Sequence, residues 1–195
     1  MQKQNRDTFR ELGLAKNLLE ILESKGFEHP TPIQHQIIPG ALEGKDVVGI
    51  AQTGTGKTLA FGIPMIQRIA VHKGHGLVIT PTRELALQVE ESLNTVGGPL
   101  GLRTTVVIGG VNQNPQVKAL RKKPHVVIAT PGRLVDLVEQ GHYDLSKVTV
   151  VTLDEADTFD WQISAGGTCD FDADLIISGA GVEFGDSTTY DLDLE

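Results

Sequence analysis

Two short stretches of this chain combine residue types that could do chemistry. The first is Ala51-Gln52-Thr53-Gly54-Thr55-Gly56-Lys57-Thr58. Small residues and glycines at this spacing let successive backbone N–H groups turn inward around a phosphate, as a glycine-rich phosphate loop does. If a helix opens at Lys57, its N-terminus adds a partial positive charge. Lys57 would then reach the β- and γ-phosphates, and the Thr58 hydroxyl would bind Mg²⁺. The generic motif asks for glycine where Ala51 stands, so the match misses one position. The second stretch is Asp154-Glu155-Ala156-Asp157, directly after the apolar run Val148–Leu153. A carboxylate at the C-terminal tip of a parallel strand faces the crevice where ligands bind. Asp154 could hold Mg²⁺ through water, and Glu155 could orient or deprotonate an attacking water. Either stretch alone is also compatible with an ordinary turn. Their pairing in one chain favours the chemical reading, a phosphate loop facing an acidic strand tip, over two ordinary turns.

Such a site needs strands ending beside it. Val47–Ala51, Leu77–Thr80, Thr104–Ile108, Val126–Ala129 and Val148–Leu153 are short runs rich in Val and Ile. Segments with helical spacing separate them, at Leu59–Val71, Glu84–Leu93, Gln116–Arg121 and Gly132–Gln140. Continuous β-branched runs alternating with helices predict an α/β fold, a parallel sheet with helices on both faces. A further helix is expected from about Ala15 to Lys25, closed by Gly26. Thr8-Phe9-Arg10-Glu11 has the letters of a capping box, but Gly13 argues against a helix there.

The 195 residues suit one domain, or one domain with an extension. No apolar run approaches a membrane span, and the polar start Met1–Asp7 lacks the apolar core of a secretory signal. The single cysteine, Cys169, cannot form an internal disulfide, so a reducing, cytoplasmic setting is expected. The net charge of −8 is unevenly spread. Residues 1–157 hold all 17 basic residues and a balance of +1, whereas 158–195 hold nine acids and no base. The acidic total therefore gives no argument against a nucleic-acid partner for the body. The composition shift sets the expected division: a body over 1–157 and an acidic tail over 158–195. The six histidines (His29, His35, His72, His75, His125, His142) show no metal spacing with the cysteine. Asp170–Asp174 resembles the start of a calcium loop, but Leu175 and Gly181 stand where its glycine and glutamate belong, which favours an ordinary acidic strand.

With both chemical motifs in place, residues Phe9 to Asp157 resemble the first RecA-like domain of a DEAD-box RNA helicase, a P-loop NTPase. Ala51 is normal in that family's phosphate loop, which comprises Thr53, Gly54, Thr55, Gly56, Lys57 and Thr58. Gly26-Phe27 and Pro30-Thr31-Pro32-Ile33-Gln34 resemble its adenine-reading motif, with Phe9 as the upstream aromatic. A glutamine amide can donate to and accept from an adenine edge, and a phenylalanine can pack on the base. Pro81-Thr82-Arg83, Gly109-Gly110 and Thr130-Pro131-Gly132-Arg133 match positions that grip the RNA backbone in the family. Hydroxyls, helix-start N–H groups and arginines suit phosphates without reading bases. The resemblance implies ATP and Mg²⁺ as ligands, single-stranded or duplex RNA as partner, and ATP hydrolysis once a second RecA-like domain supplies arginine fingers.

Past Asp157 the resemblance stops. The family's next strand, ending in Ser-Ala-Thr, and its second domain are not recognisable, which a truncation, a fusion or a frameshift would equally explain. Two further readings stay open: a lobe that binds nucleotide and RNA weakly without turnover, and an interaction protein whose acidic tail covers its own RNA surface. The resemblance also implies that the missing strand lies mid-sheet, between the phosphate-loop strand and the Asp154 strand. Either the slot is empty and the lobe folds poorly, or another segment fills it. Leu175–Ser178 is the one tail segment with a buried-strand pattern, and filling the slot would bring Ser178 near the phosphate loop.

Overall fold

The computed structural model describes residues 8–52 and 54–155, together with the backbone of 174–179. Six strands form one sheet: β1 (Val47–Ile50), β2 (His75–Ile79), β3 (Thr104–Val107), β4 (Val126–Ala129), β5 (Val148–Leu153) and β6 (Asp174–Gly179). Their order across the sheet is β1-β6-β5-β2-β4-β3, and every neighbouring pair is parallel. Among the described residues six α-helices accompany them: α1 (Lys16–Ser24), α2 (Pro32–Leu42), α3 (Lys57–His72), α4 (Arg83–Gly97), α5 (Gln113–Leu120) and α6 (Pro131–Glu139).

The strand alternation divides the core into two layers. Val78, Val126, Ile128 and Val150 pack with Leu18, Leu22, Ile38, Phe61 and Met65 on one face. Leu77, Val127, Ala129 and Val151 pack with Val117, Leu120, Leu134 and Leu137 on the other. All four residues of β4 are buried, as expected of a strand covered on both sides. Helix starts follow local chemistry. The Thr82 hydroxyl caps α4 by accepting from the Leu85 N–H at 3.2 Å, and prolines open α2 and α6 where no N–H is required.

The five body strands lie where their Val/Ile runs placed them, within two residues at each end. Helix α2 is not among the helices that the periodicity predicts. Phe9–Leu12 is a short 3₁₀ turn without a side-chain cap from Thr8, followed by Gly13 at φ 78°. The central slot is filled by the tail. Ile176 and Ile177 of β6 register against Val47 and Val48 on one side and against Thr152 and Leu153 on the other. Ser178 lies opposite Gly49, one residue before β1 ends at the phosphate loop. Residues 170–173 of the calcium-like run, Cys169 and the rest of the tail lie outside the described residues.

Candidate nucleotide and RNA-backbone site

The sheet's C-terminal edge is continued by single backbone bonds into its loops. Thr80 N–H donates to the Ala129 carbonyl at 2.9 Å, Thr130 N–H to Val107 at 3.0 Å, and Asp154 N–H to Ile79 at 2.9 Å. Thr80, Thr130 and Asp154 are thereby fixed in a row, with Asp154 only 4% exposed.

The phosphate loop arrives at this row from β1. Its turn is closed by the Gln52 carbonyl, which accepts from the Thr55 hydroxyl at 2.6 Å. Gly56 is the residue before α3 and has φ 91°. A Cβ there would fall 2.6 Å from Gln34 Nε2 and push that amide aside, and the left-handed φ itself favours glycine. Lys57, the first residue of α3, is 8% exposed, and its ammonium donates to Glu155 Oε1 at 2.6 Å. Glu155 adopts φ 54°, a left-handed conformation uncommon outside glycine. Thr58 is half-buried, and Gly54 and Thr55 complete the described part of the loop. Thr53 lies outside the described residues.

Gln34 is 4% exposed on α2 and bridges two elements. Its Oε1 accepts from Thr31 N–H at 2.9 Å and its Nε2 donates to the Gly56 carbonyl at 3.1 Å. The side chain thus holds the phosphate loop against α2 with one N–H still uncommitted. Phe9 is buried within the core, whereas Phe27 is half-buried at its edge. Among the described residues no group of three His, Cys, Asp or Glu gathers in metal-binding fashion.

A second cluster sits along the same edge. Arg83, Thr82, Gly110 and Gly132 are exposed, with Pro81, Thr130 and Arg133 partly buried between them. Gly110 has φ 72°, and a Cβ on it would meet Arg83 Nη1 at 2.7 Å. Both terminal guanidinium nitrogens of Arg133 donate to the Val111 carbonyl at 3.2 Å. Arg133 thereby holds the loop at Val111, while Arg83 lies beside Gly110.

Sequence reasoning missed Gln116. Buried on α5, it accepts from the Ile108 N–H at 3.1 Å and donates to the Ile108 carbonyl at 3.0 Å. This pairing mimics a strand and fixes the chain just before Gly109-Gly110. A glutamine one position before Val117, on the buried side of a short helix, was the available signal.

A parallel sheet with a glycine-rich loop, a buried lysine and an acidic strand tip at its C-terminal edge defines a P-loop NTPase lobe of the RecA-like type. The family model for DEAD/DEAH box helicases matches residues 31–169, and the chain belongs to that family. It is 51% identical over 152 residues to the DEAD-box ATP-dependent RNA helicase CshA of Bacillus cereus, covering 77% of this chain and 29% of that protein. It is 46% identical over 153 residues to the ATP-dependent rRNA helicase RRP3 of Candida albicans, again with 77% and 29% covered. The fold superposes on a DEAD box protein from the hyperthermophile Methanococcus jannaschii with TM-score 0.80 and 35% identity, over 90% of this chain and 50% of that one. The chain therefore spans under a third of the length of these two helicases. No helix among the described residues is long and apolar enough to cross a membrane.

Proposed function

We propose that this chain is the ATP-binding lobe of an ATP-dependent RNA helicase, working in the cytoplasm. The observation that carries this reading is the Lys57–Glu155 pair beside Asp154. It joins the phosphate-binding amine and the water-orienting carboxylate across 98 positions of chain, at the mouth of the phosphate loop. In this reading Lys57 exchanges Glu155 for the β- and γ-phosphates, and Glu155 is freed to orient water. Gln34 presents its remaining N–H to the adenine edge, Phe27 packs on the base, and Phe9 supports that region from the core.

Thr58 and Asp154 would hold Mg²⁺. One hydroxyl and one carboxylate suit an ion that keeps several waters and binds phosphate oxygens. When bound, the ion neutralises charge developing on the phosphates. The RNA backbone would lie across Thr82, Arg83, Gly110, Thr130, Gly132 and Arg133, with Pro81 shaping the turn, and a second RecA-like domain would complete the site. The folded lobe is taken to run through Asp157, with the acidic segment from 158 returning one strand to the sheet.

The same ion pair favours a second reading for the chain by itself, a lobe that holds nucleotide and RNA weakly without turnover. It engages both catalytic groups with each other, and no arginine belongs to the phosphate loop or the Asp154 turn. An arginine finger is worth about 10³–10⁵ in rate. Titration calorimetry with ATP and Mg²⁺ tests the binding claim. Lys57→Ala should lose a charge-assisted contact of about 1.5–3 kcal/mol, a tenfold to hundredfold loss of affinity. Equal affinity in the variant would sink the assignment.

A further inference from the structure

The opposite edge of the sheet carries a cavity of about 510 Å³ that the nucleotide and RNA surfaces do not touch. It opens where β2, β3 and β4 begin, bordered by His75, Arg103 and His125 just at or before those strands. Its floor is aliphatic, with Ile66, Ile69 and Leu102 among its residues. Its rim is cationic, formed by Lys73, Arg103 and Lys123, and no Asp or Glu is among the described residues that line it.

The backbone at the rim is unusual. Among the described residues, three non-glycine residues have left-handed φ: Glu155 in the nucleotide site, Lys73 at 55° and Lys123 at 54°. Both lysines border this cavity. Glycine or asparagine occupies such positions at lower conformational cost. Strained residues of this kind concentrate at functional sites.

We propose that this cavity binds a short acidic peptide segment bearing aliphatic side chains. The rim supplies charge complementarity for carboxylates, and the floor supplies apolar burial for a Leu or Ile side chain. RNA fits less well. Single strands are held by aromatic platforms along a basic track, and the described lining of this cavity has no aromatic residue other than its two histidines.

Fluorescence anisotropy with a labelled peptide of alternating aspartate and leucine, on the full chain, tests the site. The peptide should bind, more weakly as salt rises. Lys73→Asn combined with Lys123→Asn removes two charges while tolerating left-handed φ, and should weaken binding by about tenfold or more. Leu100→Asp, at a partly exposed cavity residue, should weaken it independently by placing an anion at the apolar wall. ATP binding should be unchanged in both variants, which confirms that they fold. No binding by the wild type, or equal peptide affinity in both variants, would overturn the proposal. So would a result in which the variants lose affinity for a single-stranded RNA oligonucleotide but not for the peptide.

Discussion

The two edges of this sheet both carry basic side chains, but they commit them differently. At the C-terminal edge two of the cations are bound into the protein and the third, Arg83, is exposed. Lys57 pairs with Glu155, Arg133 grips the Val111 carbonyl, and Arg83 lies over Gly110. At the N-terminal edge the Arg103 guanidinium donates to the Lys123 carbonyl at 3.1 Å, whereas the ammonium groups of Lys73 and Lys123 border an open cavity with no acid in its described lining. The difference teaches how a parallel sheet sorts its chemistry. The C-terminal edge gathers loops that follow strands, so helix N-termini and strand-tip carboxylates meet there and basic groups find partners within the fold. The N-terminal edge gathers loops that follow helices, where positive charge also complements helix C-termini. Lys73 is the residue that closes α3.

Both edges depend on β6, and removing it is the harshest way to break the comparison. β6 registers at four positions with β1 and at four with β5. Ile176→Pro would remove a backbone donor in mid-sheet, where proline is not tolerated. If the strand leaves the slot, roughly six to eight backbone groups lose partners at about 1–3 kcal/mol each, on the order of 10 kcal/mol. That matches the whole stability of a typical domain. The expected outcome is loss of cooperative thermal unfolding, with amides of Val150 and Val151 exchanging rapidly. A variant that melts like the wild type would show that the sheet closes without this strand.

Much of this architecture was legible in the sequence because the strands are buried on both faces. Val126–Ala129 and Val148–Leu153 read as continuous apolar runs, and glycine-rich or acidic loops at their tips mark the chemistry. β6 was legible only through the family resemblance, which implied a central slot either left empty or filled by Leu175–Ser178, the one tail segment with a buried-strand pattern. Helix α2 was hidden by composition. Pro39 and Gly40 interrupt its pattern, while Gln34, His35 and Gln36 dilute its apolar face of Ile33, Ile37, Ile38 and Ala41. Tertiary packing, rather than propensity, decides that segment. Gln34 shows the same limit at the site. Sequence placed it near a nucleotide, but its bond to the Gly56 carbonyl depends on α2 lying against the phosphate loop. The basic cavity was invisible because its rim comes from three loops far apart in the chain.

Glu155→Gln sharpens the comparison at the C-terminal edge alone. The amide keeps the shape but gives up the charge that competes with phosphate for Lys57. Nucleotide affinity should therefore hold or tighten by up to about tenfold, since a close charge pair near a surface is worth on the order of 1 kcal/mol or somewhat more. RNA-stimulated hydrolysis, measured after a second RecA-like domain is supplied, should fall by about 10²–10⁴, the usual contribution of a positioned base. Brisk turnover by the variant would remove Glu155 from the chemistry and leave it a purely structural partner of Lys57.

The smallest effect separates the edges by pH. Burial, then the nearby Arg103 guanidinium and His75, hold the His125 imidazole below its ordinary basicity. Its Nδ1 also accepts the Arg103 N–H at 3.2 Å, which requires that nitrogen to be unprotonated. His75 faces the same region with its own Nδ1 against the Pro124 carbonyl at 2.8 Å, and Lys123 adds a third basic group from the adjoining loop. Because the native pKa lies below the unfolded one, the unfolded chain takes up the proton first as pH falls. Stability is therefore intact above about pH 6.5, declines as pH drops through the unfolded value, and levels off once the native ring also protonates. Solvent reaches part of the ring, so the slope is shallow. His125→Asn does not titrate, and urea unfolding of the variant between about pH 7.5 and 5.5 should show a flatter decline than the wild type. The nucleotide edge has no part in this difference, so it should persist with ATP bound. Parallel declines in the two proteins would mean that His125 is protonated as readily in the fold as in the open chain.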